Sequence, residues 1–500
     1  MQKVVIIGGG VAGLSAGIFA QMNGFNSVIL EKHHTLGGEC TGWDRRGYHI
    51  DGCIHWLVGT KEGTAMHDLW VTLGALDGVE CYHPDSFMTV EQDGVEVNLY
   101  RDLDKLQSSW ITISPQDTET INDFCATIRK LQSFQIGVAK PLDMMNIVEK
   151  IRYFASMKDA GAVMQKYGKI ALTQYAERFK HPALRRTLAE FVPDGYSASS
   201  IFFALATFTQ GQASIPSGGS KAMALRMVDR YLEFGGQIET RCEIAELVHE
   251  RGQVQRVVAK DGRSFSGDHF VAACDPKVLF HDLLDDGYSD KAFEMRYQNQ
   301  KDYPLASNIY IGLGYEGTMN GIPRTLRFPV EPIKILQTSI NNVQLTHYGY
   351  EPNFAPARNT VLTVAINQFA DECDAWLELA KHNEAYKHEK ARIGEAVRQS
   401  IIQRFPEMAG KLQVLDVASP ATYNRYCNAH RGAFMAFLPT TTGKPMAHNG
   451  RIKGLRNLHL SGQWLQPPGG LPVAAVTGKD TIQRICKDQR RPFTMGTSHH

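Results

Sequence analysis

Three glycines and one acid carry the first chemical signal in this chain. Gly8, Gly10 and Gly13 spell G-x-G-x-x-G, and Glu31 stands 18 positions beyond the last of them. A glycine at the first position permits a tight turn, and at the second it lets a pyrophosphate approach the backbone. At the third it lets a helix pack closely on a strand. Val11 and Ala12 lie where that helix begins, and its free N–H groups and positive dipole end favour phosphate. Glu31, followed by Lys32, is placed to accept hydrogen bonds from a ribose diol. The chemistry on offer is the binding of a dinucleotide.

The motif alone is weak, so the elements around it decide. Residues 4–7 form a continuous apolar run, as expected of a strand buried on both faces. Leu14, Ala16, Gly17, Ile18 and Ala20 come next as a small-residue helix, and residues 27–30 give a second apolar strand that ends on Glu31. A second copy of the pattern, at Gly312, Gly314 and Gly317, lacks this setting. Residues 318–323 after it cannot start a helix of useful length.

The residues beyond Glu31 select among dinucleotides. Gly37-Gly38 comes first, then the run ECTGWDRRGYHIDGCIHWLVG. The Gly pair and the segment Gly47-Tyr48-His49-Ile50-Asp51-Gly52, with His55, Trp56 and Gly59 beyond, resemble the phytoene desaturase and retinol saturase group of the flavin amine oxidase superfamily. The resemblance implies FAD, and a Rossmann-type α/β FAD-binding domain of the glutathione-reductase kind. It also implies an inserted α+β substrate domain with a helical lid. One departure from the family pattern is plain. Many members carry arginine after the Gly pair, where this chain has Glu39, and the nearest guanidiniums are Arg45 and Arg46.

Two later segments extend the resemblance. Ile215-Pro216-Ser217-Gly218-Gly219 precedes a helix over residues 222–234 that stops at Gly235-Gly236, and strands come after it that include 244–249, 253–259 and 269–273. In the family, the residue in the place of Ile244 offers its backbone to the adenine. Near the end, residues 457–462 read as a buried strand ending in Gly462, and Pro467 to Pro472 as a rigid turn. A helix then begins near Val473. In the family its N-terminus, here Gly470, Leu471 and Val473, points at the flavin ring and stabilises negative charge there. Gln463 and Trp464 would lie beside the ring.

The resemblance thus implies cofactor domain segments at 1–85, 210–290 and 450–490, substrate domain segments at 86–209 and 291–449, and a tail at 491–500. His55 is a candidate proton donor or acceptor, or a packing residue of the cofactor. Arg431 is a candidate partner for a substrate carboxylate, or an ordinary ion-paired arginine. The helical stretch from residue 141 holds Met144, Ile147, Val148, Ile151, Phe154 and Ala155 at helical spacing, with Lys150, Arg152 and Lys158 among them. It reads either as a core face with a basic solvated side, or as a lid lying on a membrane surface where a lipid substrate enters.

Composition bounds the rest. A chain of 500 residues with 43% hydrophobic and 21% charged residues is long enough for two or three domains, and its net charge of +1 gives no reason to expect nucleic acid. Nine scattered cysteines without C-x-x-C fit a reducing compartment and argue against structural zinc. The first apolar run is the cofactor strand, so no leader is expected, and no apolar run approaches a membrane span of about 18 residues. The expectation is cytoplasmic, with or without membrane association. The function implied is an FAD oxidoreductase that makes, reduces or isomerises carbon–carbon double bonds in a long apolar substrate such as a carotenoid, retinoid or unsaturated lipid. Amine oxidation and a non-enzymatic prenyl-binding role are the alternatives. The electron partner is left open among NAD(P)H, a quinone and oxygen.

Overall fold

A computed structural model describes residues 1–496. Its organising layer is a six-stranded sheet ordered Gln237–Glu239, Asn26–Leu30, Lys3–Ile7, His269–Ala272, Leu455–Leu460 and Arg451–Ile452. All neighbours pair in parallel except the last two. Val4, Val5 and Ile6 are fully buried, because helices cover one face and a second sheet the other. The first helix, Val11–Met22, packs against the closing helix, Leu471–Asp488, with Ser15 Oγ donating to the Ala475 carbonyl at 2.6 Å. Gly478 makes that approach possible, since a Cβ there would meet the Ala12 carbonyl oxygen at 2.5 Å. The helix Gly219–Glu233 completes this layer. On the far side lies the meander Ile244–Glu250, Gln253–Ala259, Ser264–Ser266. This is the expected Rossmann-type α/β arrangement.

His459, on the strand Leu455–Leu460, is buried in this layer with Nδ1 unpartnered. Burial, with Arg451 next, lowers its pKa from 6.5 to about 3. The unfolded chain therefore takes up a proton below the free value that the folded chain refuses. The contribution to stability is complete above pH 6.5 and is lost as pH falls towards 3. Relative to His459→Leu, the wild type should lose roughly 1.4 kcal/mol per pH unit in that window. Urea titrations of both proteins between pH 7 and 4 test this, and parallel pH profiles would contradict it.

The second large sheet has seven strands, ordered Leu412–Ala418, Ala306–Tyr315, Thr360–Phe369, Thr338–His347, Thr325–Ile335, Ser86–Gln92 and Val95–Tyr100. The last two form a hairpin closed by Asp93-Gly94, both at positive φ. Gly312 and Gly314 sit inside Ala306–Tyr315, where Cβ atoms would strike Ile50 and Tyr48. They serve the contact between this sheet and the Tyr48–Asp51 strand. Helix Asn383–Arg404 packs on the sheet through Ile393, Val397 and Ile401. A cluster of helices between Leu103 and Thr209 has its own core around Trp110, Phe124, Tyr175 and Phe202.

One of the two readings of the helical stretch needs correction. The helix Ile147–Ser156 is not a core helix: none of its residues is buried, and Ile147, Ile151 and Phe154 are 75%, 64% and 62% exposed. A capping box between Asn146 and Glu149 holds the helix in place of core packing. Part of the segment 491–496 is docked. Phe493 packs against Phe19 at 5.8 Å, and Thr494 N–H donates to Asn23 Oδ1 at 2.8 Å. The remainder of the tail, 497–500, lies outside the described residues. No helix among the described residues is long and apolar enough to cross a membrane.

Candidate functional site

One cavity of about 2180 Å³ runs from the glycine turn to the helical cluster. At its first end the backbone is built to admit a phosphate. Gly8 takes a φ of +103°, and a Cβ there would meet the Ala273 carbonyl oxygen at 2.6 Å. A Cβ on Gly13 would fall on the Gly8 carbonyl oxygen, so the third glycine is what allows helix and strand to touch. Gly10 faces open space, with nothing nearer to its absent Cβ than Gly37 and Gly38 at 3.9 Å. Val11 and Ala12 line the cavity at a helix start that carries no acidic side chain in its first turn. The closing helix repeats the arrangement. Gly470, Leu471 and Val473 line the cavity at its N-terminus, again without an acid in the first turn. Two helix ends therefore offer donors and positive potential to one space.

Glu31 is fixed by two backbone donors, Gly9 N–H at 2.7 Å and His33 N–H at 2.8 Å. Lys32 is anchored on the Arg425 carbonyl and Asn428. Glu31, Lys32, Gly37, Gly38, Glu39 and Ile244 all line the same cavity. Gln463 Oε1 accepts from Gly470 N–H at 2.9 Å, tying the strand end to the helix start, and Gly462 N–H donates to Thr477 Oγ1. These residues, distant in sequence, form one wall. A pocket with two acid-free helix starts and a backbone cradle fits a dinucleotide.

The middle of the cavity holds His55 and Trp56. Asp51, buried just before them, accepts from Ser220 N–H at 3.0 Å, and its own carbonyl accepts from Tyr310 Oη at 2.7 Å. Asp51 thus pins the family segment to the helix Gly219–Glu233. The His55 imidazole faces the cavity and its carbonyl accepts from Arg324 at 3.1 Å. Burial, helped by the Arg324 charge, lowers its pKa to about 4, so the ring is neutral near neutral pH. Trp56 packs on Phe87 at 4.6 Å. Trp464 packs on Phe437 and Tyr297, so its ring is held in the wall of the cavity and not stood up as a free panel.

Of the two readings of Arg431 the ion-paired one holds and the substrate-carboxylate one is corrected: its guanidinium forms a two-point ion pair with Asp374 at 2.6 and 2.9 Å. The cavity wall there comes from Ala433 to Leu438 instead. Arg45, which also lines the cavity, pairs with Asp416 at 2.8 Å, and Arg46 donates to Gln413 Oε1 at 3.1 Å. Sequence reasoning missed Asp275, Arg324 and Arg327, all of which line the cavity. Asp275 lies just past the strand His269–Ala272 and its next two residues, and accepts from Tyr297 Oη and from the backbone of Lys277 and His430. Its place after a cofactor strand was the one available signal. Arg324 and Arg327 had none.

Residues 11–486 match the model of a family described as flavin containing amine oxidoreductase. The chain belongs to that family. It is an FAD-dependent oxidoreductase, and the flavin family explains why two helix ends and a glycine turn converge. Phytoene desaturase (lycopene-forming) from Pseudescherichia vulneris is 21% identical over 506 residues, covering 98% of this chain and 100% of that one. All-trans-retinol 13,14-reductase from Macaca fascicularis is 23% identical over 507 residues, covering 92% and 82%. Both names bear out the resemblance to the desaturase and saturase group. Among solved structures, an oxidoreductase from Methanosarcina mazei superposes with a TM-score of 0.60 at 16% identity, covering 96% and 100%. That likeness is one of fold.

Proposed function

We propose that this flavin oxidoreductase acts on a carbon–carbon bond of a long apolar substrate. The observation that carries the reading is the cavity beyond His55. The whole space, about 2180 Å³, exceeds by far the volume of roughly 1,000 Å³ that bounds most small-molecule sites. Its inner arm is walled by Trp56, Phe87, Phe191, Phe203 and Phe208. FAD supplies the redox step when bound, by taking or giving a hydride. The chain's own residues hold the substrate against it, exclude water and keep His55 neutral. In that state the imidazole serves as a proton acceptor or a positioning group.

A cationic amine is the less suited substrate. Arg324 and Arg327 line the inner arm with Nε atoms that have no partner, while the Glu190 carboxylate beside Arg327 is already paired with Arg186 at 2.6 Å. A second cation entering there meets the like charge of two guanidiniums, which the Glu190 carboxylate, 3.9 Å from Arg327 Nη1 and shared with Arg186, offsets only in part.

The exposed helix Ile147–Ser156 supports a lid that rests on a membrane surface. Leu142, Ile147, Val148, Ile151, Phe154 and Met164 are its exposed apolar side chains, and Met164 also lines the cavity. Lys150, Arg152 and Lys158 surround them, all exposed. Apolar anchors rimmed by bases suit an anionic bilayer, from which a lipid can pass into the cavity.

Product mass tests the reaction. Incubation with a panel of polyenes and unsaturated lipids should give products changed by two hydrogens, or double-bond isomers of unchanged mass. Release of an aldehyde and ammonia from amines, with no change in any polyene or lipid, would overturn the reading.

A further inference from the structure

Glu39 stands where many relatives place an arginine, and its surroundings give it a different task. It lines the cofactor end of the cavity, directly after the Gly37-Gly38 pair. That pair is bound to the glycine turn: Gly37 N–H donates to the Gly9 carbonyl at 2.9 Å, and Gly10 and Gly37 form a parallel bridge. The Glu39 side chain is therefore held at the phosphate cradle. Its Oε1 is shut off from solvent and has no hydrogen-bond partner among the described residues.

Among the described residues, the titratable groups that face it supply no positive charge, and Arg45, which lines the same cavity, is paired with Asp416. From the loop after His269–Ala272 comes Asp275, whose carboxylate is already satisfied by Tyr297 and two backbone N–H groups. From the helix Pro420–Cys427 come Tyr423 and Cys427, and from the segment C-terminal to Glu39 comes Cys53, itself facing Cys40. Tyr423 Oη is likewise buried without a partner. A carboxylate here would face a second acid and, on loading, the phosphates of the dinucleotide, all in a medium that screens poorly. Burial, with Asp275 next, raises the pKa of Glu39 from 4.5 to about 8. A carboxylic acid, in contrast, brings a strong O–H donor to the position where many relatives carry arginine.

We propose that Glu39 holds FAD as a neutral carboxylic acid, its O–H donating a hydrogen bond to an anionic oxygen of the bound dinucleotide. A proton thus does the work of the arginine, and cofactor affinity becomes linked to pH. The group is a positioning residue for the cofactor, and the reading does not depend on which substrate is turned over.

The test is FAD binding to the apoprotein by flavin fluorescence from pH 6 to 9.5, for wild type and Glu39→Gln. The amide is nearly isosteric and keeps a donor at every pH. The wild-type Kd should be flat below pH 7.5 and rise towards tenfold per pH unit above 8, the slope of one linked proton. Glu39→Gln should bind with a Kd within a few-fold of wild type at pH 7 and stay flat to pH 9. Ionisation of the flavin itself is common to both proteins and cancels in the comparison. A second measurement needs no variant: wild-type calorimetry in two buffers of different ionisation enthalpy should show about one proton taken up per FAD at pH 9 and about none at pH 6.5. Superimposable pH profiles for the two proteins, or no proton uptake at pH 9, would overturn the proposal. Failure to bind FAD at any pH would instead overturn the cofactor assignment on which it rests.

Discussion

Gly10→Val should yield a folded protein that no longer retains flavin. Gly10 has φ −73° and ψ −178°, a backbone any residue adopts. A Cβ at this position meets nothing closer than 3.9 Å in the protein. The cost to folding is the exchange of one N-cap residue for a poorer one, about 1 kcal/mol. The cost to the cofactor is larger, because the side chain fills the space through which a pyrophosphate approaches the helix start. We expect FAD affinity to fall by at least ~100-fold, or about 2.8 kcal/mol. Gly13→Val is the contrast, since its Cβ lands on the Gly8 carbonyl oxygen and the fold itself should fail. Thermal melts and flavin release measured on both variants separate the two effects. A yellow Gly10→Val protein would show that the cradle is not where the cofactor sits.

The second expected effect is at the exposed helix Ile147–Ser156. Ile151→Glu with Phe154→Glu should abolish binding to vesicles containing anionic lipid while leaving flavin content and melting temperature unchanged. Neither side chain is buried, so the fold loses little. Transfer of each into a bilayer interface contributes roughly 1.5–3 kcal/mol, so the pair accounts for a hundredfold or more in partitioning. Lys150, Arg152 and Lys158 add about 1 kcal/mol each on anionic lipid, which makes the binding sensitive to salt. Co-sedimentation with neutral and anionic vesicles measures both. Wild-type protein left in the supernatant with either would remove the membrane from the account.

The cofactor half of the molecule is legible in the sequence because its constraints are local. Gly8, Gly10, Gly13 and Glu31 sit within one strand–helix–strand unit, so spacing alone places them. The closing helix is legible for the same reason, since Pro472 near its first turn and Gly469-Gly470 before it mark where it starts. The substrate half resists reading where long-range contacts decide. The hairpin Thr325–Ile335 and Thr338–His347 carries Pro329 and Pro332, residues that argue against a strand. A register shift between Pro329 and Ile333 absorbs them. Arg324 and Arg327 were invisible with it. The stripe from Ile147 to Phe154 has the periodicity of a core face, and periodicity cannot say whether protein or something else covers it. The sequence left Arg431 open between a substrate carboxylate and an ion pair for a related reason: Asp374, which neutralises it, lies 57 residues away.

In the proposed reaction the flavin meets a carbon–carbon bond of an apolar substrate. The most direct test is the anaerobic visible spectrum of the holoenzyme, taken oxidised and then after chemical reduction, on adding polyenes, unsaturated lipids or amines. The account predicts that a polyene or lipid bleaches the oxidised flavin or restores the colour of the reduced one, and that amines do neither. Bleaching by an amine, with both forms inert to every polyene and lipid, would contradict it.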